Sequence, residues 1–299
     1  MMYDVIIVGG GPAGLSAALV LGRSRRRTLV CDTGEPRNAS SPSAHNFLSR
    51  DGIAPAELLR IGREQLQPYS TVELRTAEVV SATRQGQGFE VALADGTRLT
   101  CRGLILATGV RDELPDIEGL APRWGKSVLH CPYCHGWEVR DQPLAVYARG
   151  AAALHITFLL TQLSRDIVLC TDGPADLAEA DRDRLVAHGI QLRESKLLSL
   201  EGEGDTLERL VFADGEVLER YALFVTPTQR QRSPLAAQLG CDFTEAGMVR
   251  VDETRRSSVP GLYVVGDAVR QAFLILAAAD GALAGASLNL ELVQEDTRA

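Results

Sequence analysis

The sequence predicts an α/β fold made of two Rossmann-like dinucleotide-binding domains. Each is a three-layer arrangement of parallel sheet plus β-hairpin or meander. Three observations predict it. A glycine-rich turn, Gly9-x-Gly11-x-x-Gly14, joins an apolar strand to a helix. A second strand–turn–helix–strand unit recurs between Pro143 and Cys170. Each unit is followed by a hairpin with an Asp-Gly turn, at Asp95-Gly96 and at Asp214-Gly215.

The elements follow in order. Tyr3 to Val8 reads as a strand buried on both faces from the apolar run Val5-Ile6-Ile7-Val8. The turn Gly9-Gly10-Gly11-Pro12-Ala13-Gly14 then opens a helix over Leu15 to Leu21. Gly9 permits the tight turn, Gly11 lets backbone approach a pyrophosphate, and Gly14 lets helix pack on strand. Arg27 to Cys31 is the next strand and ends at Asp32, about 20 residues on, where an acid binds a ribose hydroxyl. A Ser/Pro-rich loop runs through Asn38 to Ala44, then His45-Asn46 and a Gly52 turn. Pro55 to Leu66 reads as a helix and Val72 to Val80 as a strand. Phe89 to Leu93 and Arg98 to Cys101 form the first hairpin, and Leu104 to Gly109 is a buried strand ending Ala107-Thr108-Gly109.

Prolines and glycine between Leu114 and Pro122 mark a domain boundary. Beyond it come a strand to Tyr147, a helix over Ala151 to Leu163, a strand over Asp166 to Cys170 and a helix over Asp181 to His188. Leu207 to Phe212 with Val217 to Arg220 is the second hairpin, and Leu223 to Pro227 mirrors the Ala-Thr-Gly strand. Val259 to Val265 delivers Gly266-Asp267 to a ligand-facing strand end. Arg270 to Leu292 is an Ala-rich helix, and Gln294 to Ala299 is expected to fray.

Composition narrows the function. A chain of 299 residues, 45% hydrophobic and 23% charged, can bury two ordinary cores. A net charge of -8 argues against a nucleic-acid surface. No apolar run reaches membrane-spanning length and no signal peptide is seen, so a cytoplasmic location is expected. Of six cysteines, Cys31, Cys101, Cys170 and Cys241 are isolated and read as small core residues. No Cys/His spacing repeats as a zinc site requires, so no metal is expected.

The remaining pair stands in Cys131-Pro132-Tyr133-Cys134-His135-Gly136-Trp137-Glu138. Two thiols at this spacing share one turn and can close a small disulfide ring. One can attack a disulfide and the other can resolve the mixed intermediate. His135 adjoins the pair, and its proton moves near neutral pH.

The order of Gly9-x-Gly11-x-x-Gly14, Ala107-Thr108-Gly109, Cys131-x-x-Cys134, Gly266-Asp267 and Arg270-Gln271-Ala272 resembles the low-molecular-weight thioredoxin reductase family of FAD-dependent disulfide oxidoreductases. The resemblance covers essentially the whole chain. It implies an FAD domain formed by residues 1–115 and 247–299 and interrupted by a smaller pyridine-nucleotide-type domain, 116–246, carrying the redox pair. It further implies a homodimer. FAD would be held by Gly9, Gly11, Pro12, Ala13, Gly14, Asp32, Asn38, His45, Asn46, Ala107, Thr108, Gly109, Gly266, Asp267, Gln271 and Ala272. Cys134 would face the flavin, Cys131 would exchange with substrate, and His135 would serve as acid and base. The stretch Cys131 to Glu138 is more similar to gliotoxin-type dithiol oxidases and related bacterial flavoproteins, because His135 stands where typical thioredoxin reductases carry aspartate.

A second departure lies in the Ala148 to Ala153 turn. Ala148 replaces the first glycine, Arg149 enters the loop, and no arginine cluster follows Cys170 for a 2′-phosphate. This weakens an NAD(P)H site without abolishing it. Three functions stay open: a reductase passing electrons to thioredoxin or a similar partner, an oxidase taking them from a small dithiol, and a flavin-bound redox sensor without turnover.

Overall fold

A computed structural model describes residues 2–270 and 273–298. The chain divides into two compact units. The first comprises residues 1–39, 46–111 and 229–299, and the second residues 40–45 and 112–228.

In the first unit the strand Tyr3–Val8 lies between Thr28–Asp32 and Arg98–Leu106, parallel to both, with Ile7 paired to Val30 and to Ile105. Its apolar run is explained by burial on both faces. On one face lie the helices Pro12–Arg23 and Leu274–Arg298, packing Leu15, Ala18, Leu21, Ala284 and Leu288 against Val5, Ile7 and Ile105. On the other lie the antiparallel strands Val79–Gln85 and Gly88–Leu93, whose Ala82, Phe89 and Val91 meet Ile6, Val8 and Leu104. Arg98–Leu106 joins the two systems. Its first half pairs antiparallel with Gly88–Leu93, and its second half pairs parallel with Leu262–Val264. The expected hairpin arm and buried strand are therefore one strand. The expected single strand Val72 to Val80 is two, Val72–Thr76 and Val79–Gln85, because the first extends the parallel sheet while the second enters the antiparallel layer.

In the second unit five parallel strands run in the order Gln191–Arg193, Ile167–Cys170, Leu144–Tyr147, Ala222–Val225, Val128–Leu129. The helices Gly150–Leu160 and Glu179–Ala187 belong to this unit, and Ala153, Ile156, Leu160 and Leu185 pack with Leu144, Val146 and Leu169. A three-stranded antiparallel sheet, Leu197–Glu201, Arg209–Phe212 and Val217–Glu219, supplies Leu200, Leu210 and Phe212 to the second core.

Four expectations need correction. The chain returns to the first unit at residues 228–229, not 246–247, because Leu235, Ala236 and Cys241 pack into the first unit's core. The last helix begins at Leu274 and continues to Arg298, so the described part of the tail is ordered helix. Arg26 holds Asp296 at 2.7 Å, and Arg102 holds Glu295 and Asp296, each at 2.8 Å. This last helix is also long and apolar enough to cross a membrane by length and composition, against the expectation that no such run exists. Its buried face packs on the first helix. Lastly, residues 40–45 belong with the second unit although their chain neighbours lie in the first.

Cys31, Cys101, Cys170 and Cys241 are free and buried. Burial pushes the Cys31 thiol up to about 11 and the Cys101 and Cys170 thiols up to about 12. These thiols stay protonated and inert.

Candidate active site

The first unit's glycine turn is built by close approach. A Cβ on Gly14 would fall 1.9 Å from the Gly9 carbonyl oxygen, and one on Gly9 would fall 2.3 Å from the Ala107 oxygen. Strand end, turn and helix start therefore interlock at the expected residues. Around Gly11 the space is open, with nothing within 4 Å of a Cβ position. The helix that starts at Pro12 has no side-chain cap and no acid in its first turn. Its first-turn N–H groups are thus left for an anion.

Asp32 ends the second strand as expected, with its carboxylate accepting from Gly10 N–H at 3.0 Å and from Arg63 at 3.1 Å. Asp267 follows Gly266, whose φ is +69°, and accepts from Arg37 at 2.8 Å. Arg37 escaped the sequence reading because a lone arginine in a loop carries no periodic signal. Asn38 lies half-buried on the same loop, and Asn46 is exposed with φ +62°, its N–H donating to Asp51 at 2.7 Å. Ala107, Thr108 and Gly109 follow the strand Arg98–Leu106 and are half-buried. Gln271 and Ala272 lie outside the described residues.

In the second unit Cys131 and Cys134 are joined in a disulfide, Cα to Cα 5.2 Å. Cys131 caps a one-turn helix, Pro132–His135, and its Sγ accepts from Cys134 N–H at 3.1 Å. That donor is aimed at a sulfur that carries negative charge once it is released as a thiolate. His135 follows at once. Its Nε2 lies 2.9 Å from Ser41 Oγ, while Ser41 Oγ donates to the Ser43 carbonyl at 2.7 Å. With its one proton so used, Ser41 can only accept, so His135 carries its proton on Nε2. Nδ1 is buried and has no hydrogen-bond partner. Burial lowers the His135 pKa from its ordinary 6.5; a hydrogen bond to the Ser43 backbone and the neighbouring Glu138 oppose this, and His45 adds to it. The ring is therefore neutral at pH 7, with a free lone pair on Nδ1.

His45 lies in the second unit, with Nε2 2.9 Å from Ser43 Oγ and 3.3 Å from Glu138, and its ring edge-on to His135 at 6.3 Å. Ser41 and Ser43 were missed because a Ser/Pro-rich stretch reads as plain loop. Tyr133 and Trp137 flank the pair at 62% and 66% exposure, and Arg140 covers the Trp137 ring at 4.1 Å.

The second glycine turn differs from the first. The Arg149 guanidinium donates to the carbonyls of Thr171 and Asp172 at the end of Ile167–Cys170. The Asp172 carboxylate accepts from Leu197 N–H at 3.0 Å. Both side chains thus serve the unit's own backbone.

The model of the pyridine nucleotide-disulphide oxidoreductase family matches residues 3–285. The chain belongs to this family. It is 36% identical to thioredoxin reductase tcpT of Claviceps purpurea over 281 residues, 89% of this chain and 86% of that one. Among solved structures, HlmI superposes with a TM-score of 0.93 at 40% identity, covering 99% of this chain and 94% of that one. The putative thioredoxin reductase TrxB from Bacillus anthracis also gives 0.93, at 34% identity, covering 98% and 99%. The chain is thus an FAD-dependent thiol–disulfide oxidoreductase of thioredoxin reductase-like fold. The first unit fits that cofactor: the open space at Gly11 and the uncapped N–H groups behind it suit a pyrophosphate.

Proposed function

We propose that Cys131 and Cys134 are the redox pair and that electrons pass between them and FAD. The observation that carries this is the disulfide itself, with a neutral, unpartnered His135 Nδ1 in the next residue. FAD would be held by Gly9, Gly11, Pro12, Ala13 and Gly14 at its pyrophosphate, by Asp32 at its ribose, and by Asp267 at the ribityl chain. Bound there, it supplies a two-electron acceptor or donor for the pair.

The protein's own steps follow from the geometry. A substrate thiol gives its proton to His135 and, as thiolate, attacks Cys131 Sγ. The Cys131–Cys134 bond breaks and Cys134 leaves as thiolate. The second substrate thiol then passes its proton to the departing Cys131 sulfur as it attacks the substrate sulfur bound there, and the substrate departs as a disulfide. Cys131 is released and the pair is left reduced. Reduction of a disulfide substrate runs the same steps in reverse.

The direction of flow has two readings. Relatives named thioredoxin reductase support a reductase fed by a pyridine nucleotide and serving a thioredoxin-like partner. The bond from Arg149 to the strand-end carbonyls supports a dithiol oxidase without such a donor, since it turns that guanidinium to the backbone and away from a 2′-phosphate. One experiment separates them. The holoenzyme is mixed anaerobically with NADPH, NADH or dithiothreitol, and flavin absorbance is followed. Fast bleaching by either nucleotide sinks the oxidase. Bleaching by dithiol alone, with oxygen uptake on re-aeration, sinks the reductase. No bleaching leaves a sensor.

The active form is a homodimer in the cytoplasm. The open face of the last helix carries Leu276, Ala279, Leu283, Ala286, Leu290 and Val293, at alternating spacings of three and four. Such an apolar seam suits a second copy of the same helix.

A further inference from the structure

We propose that Ser41 is a positioning residue: it fixes the tautomer and tilt of His135 so that Nδ1, and not Nε2, exchanges protons with the thiols. The proposal rests on the acid–base reading of His135 given above.

The argument begins with hydroxyl bookkeeping. Ser41 is buried, and its single proton goes to the Ser43 carbonyl at 2.7 Å. Toward His135 Nε2, 2.9 Å away, only a lone pair remains. An Nε2–H imidazole satisfies that contact; an Nδ1–H imidazole would set two lone pairs face to face. The hydroxyl thus excludes one of the two neutral tautomers. It also pins one ring atom, so the ring cannot turn Nδ1 away.

Ser41 is itself held. Gly125, with φ +79°, leaves room for Ser40, whose Oγ lies 2.4 Å from where a Gly125 Cβ would be. On the other side Ser43 Oγ meets His45 Nε2 at 2.9 Å, and His45 meets Glu138 at 3.3 Å. Besides Ser41, the Ser43 backbone accepts from the ring, and the charges that reach it are those of Glu138 and His45. No continuous proton path joins His45 to His135 through these serines, because the link between them is a carbonyl, which has no proton to pass on. The cluster therefore orients the ring and does not relay protons. The proton that Nδ1 takes from an attacking thiol stays on His135 and returns to the thiolate set free when the disulfide opens.

The test compares Ser41→Ala, Ser41→Thr and His135→Gln holoenzymes with the wild type. Long-range 15N NMR reads the His135 tautomer. Alkylation after quenching reads reduction of Cys131–Cys134 by dithiothreitol across pH. Wild type should show the Nε2–H form alone. Ser41→Ala should show both forms and reduce its disulfide about 5-fold more slowly at pH 7, the worth of one net hydrogen bond. Its acid limb should move to lower pH, since a lone pair on an N–H favours the cation. Ser41→Thr should restore all three. If Ser41→Ala does not fold, Ser41→Gly removes the same acceptor and is read the same way. An unchanged tautomer and pH profile, with His135→Gln slow, overturns the proposal alone. A His135→Gln enzyme as fast as wild type overturns the acid–base reading and the proposal with it.

Discussion

Gly14 stands so close to Gly9 that a side-chain carbon on Gly14 would lie 1.9 Å from the Gly9 carbonyl oxygen. The opposing atom is backbone and cannot swing aside. Gly14→Ala must therefore push the first helix off the strand end. The expected cost is about 1–3 kcal/mol of stability. The N–H groups of Ala13 and Gly14 would move with the helix, so FAD should no longer survive gel filtration. Flavin absorbance per protein absorbance is the measurement, and a Gly14→Ala protein that keeps its flavin would displace the pyrophosphate from this turn.

The disulfide can be divided by serine substitution. Cys134→Ser should keep FAD bound but block electron passage from thiols, because no sulfur remains to pass them on. Anaerobic bleaching by dithiothreitol should vanish while the flavin spectrum stays. Loss of the flavin itself would put Cys134 in the binding machinery.

His135 links this chemistry to pH. Burial holds its pKa below the ordinary 6.5. At pH 8 folded and unfolded states are both neutral there, and the group adds no slope. Below about pH 6.5 the unfolded chain takes up a proton that the folded chain refuses. Stability is then lost as pH falls from 6.5 toward the folded pKa, and below that the loss levels off. Urea denaturation at pH 8 and at pH 5 should show a smaller difference in His135→Gln than in wild type. Equal differences would mean that the ring is not kept neutral by its surroundings.

The last helix presents Leu283 and Leu290 at 40% and 58% exposure. If a second copy covers them, Leu283→Glu with Leu290→Glu sets like charges on a seam that meets its own image. Sedimentation should shift from dimer to monomer, with FAD content unchanged because the buried face of the helix is untouched. A wild type that sediments as a monomer, or floats with anionic vesicles instead, would refute the dimer seam.

The sequence made legible those parts where local chemistry has one structural use. The strand Tyr3–Val8, its glycine turn and the Cys131–Cys134 turn stand at the expected residues because each is specified by near neighbours. What stayed hidden depends on residues far apart in the chain. Arg37 meets Asp267 across 230 positions, and Ser41 meets His135 across 94. Neither pair has a period or spacing to find. The tail was misjudged for the same reason: Asp296 is held by Arg26, 270 positions away. The return crossing was set too late because Leu235 and Ala236 look like any short apolar pair until the first unit's core receives them.

Asp172 offers a last discrimination. An acid after the second strand of a nucleotide-binding unit could serve a ribose. Here it sits at φ +53°, and its carboxylate accepts from Leu197 N–H at 3.0 Å. Arg149 donates to its carbonyl. A residue so engaged supports the turn before it can serve a ligand. Asp172→Ala should then cost about 1–3 kcal/mol, through an unsatisfied Leu197 N–H and a side chain ill suited to positive φ. Any NADH-dependent bleaching should be unchanged. Were the carboxylate instead a ribose ligand, the variant would stay stable and lose its response to NADH. Thermal unfolding and anaerobic titration with NADH, run on the same preparation, tell the two apart.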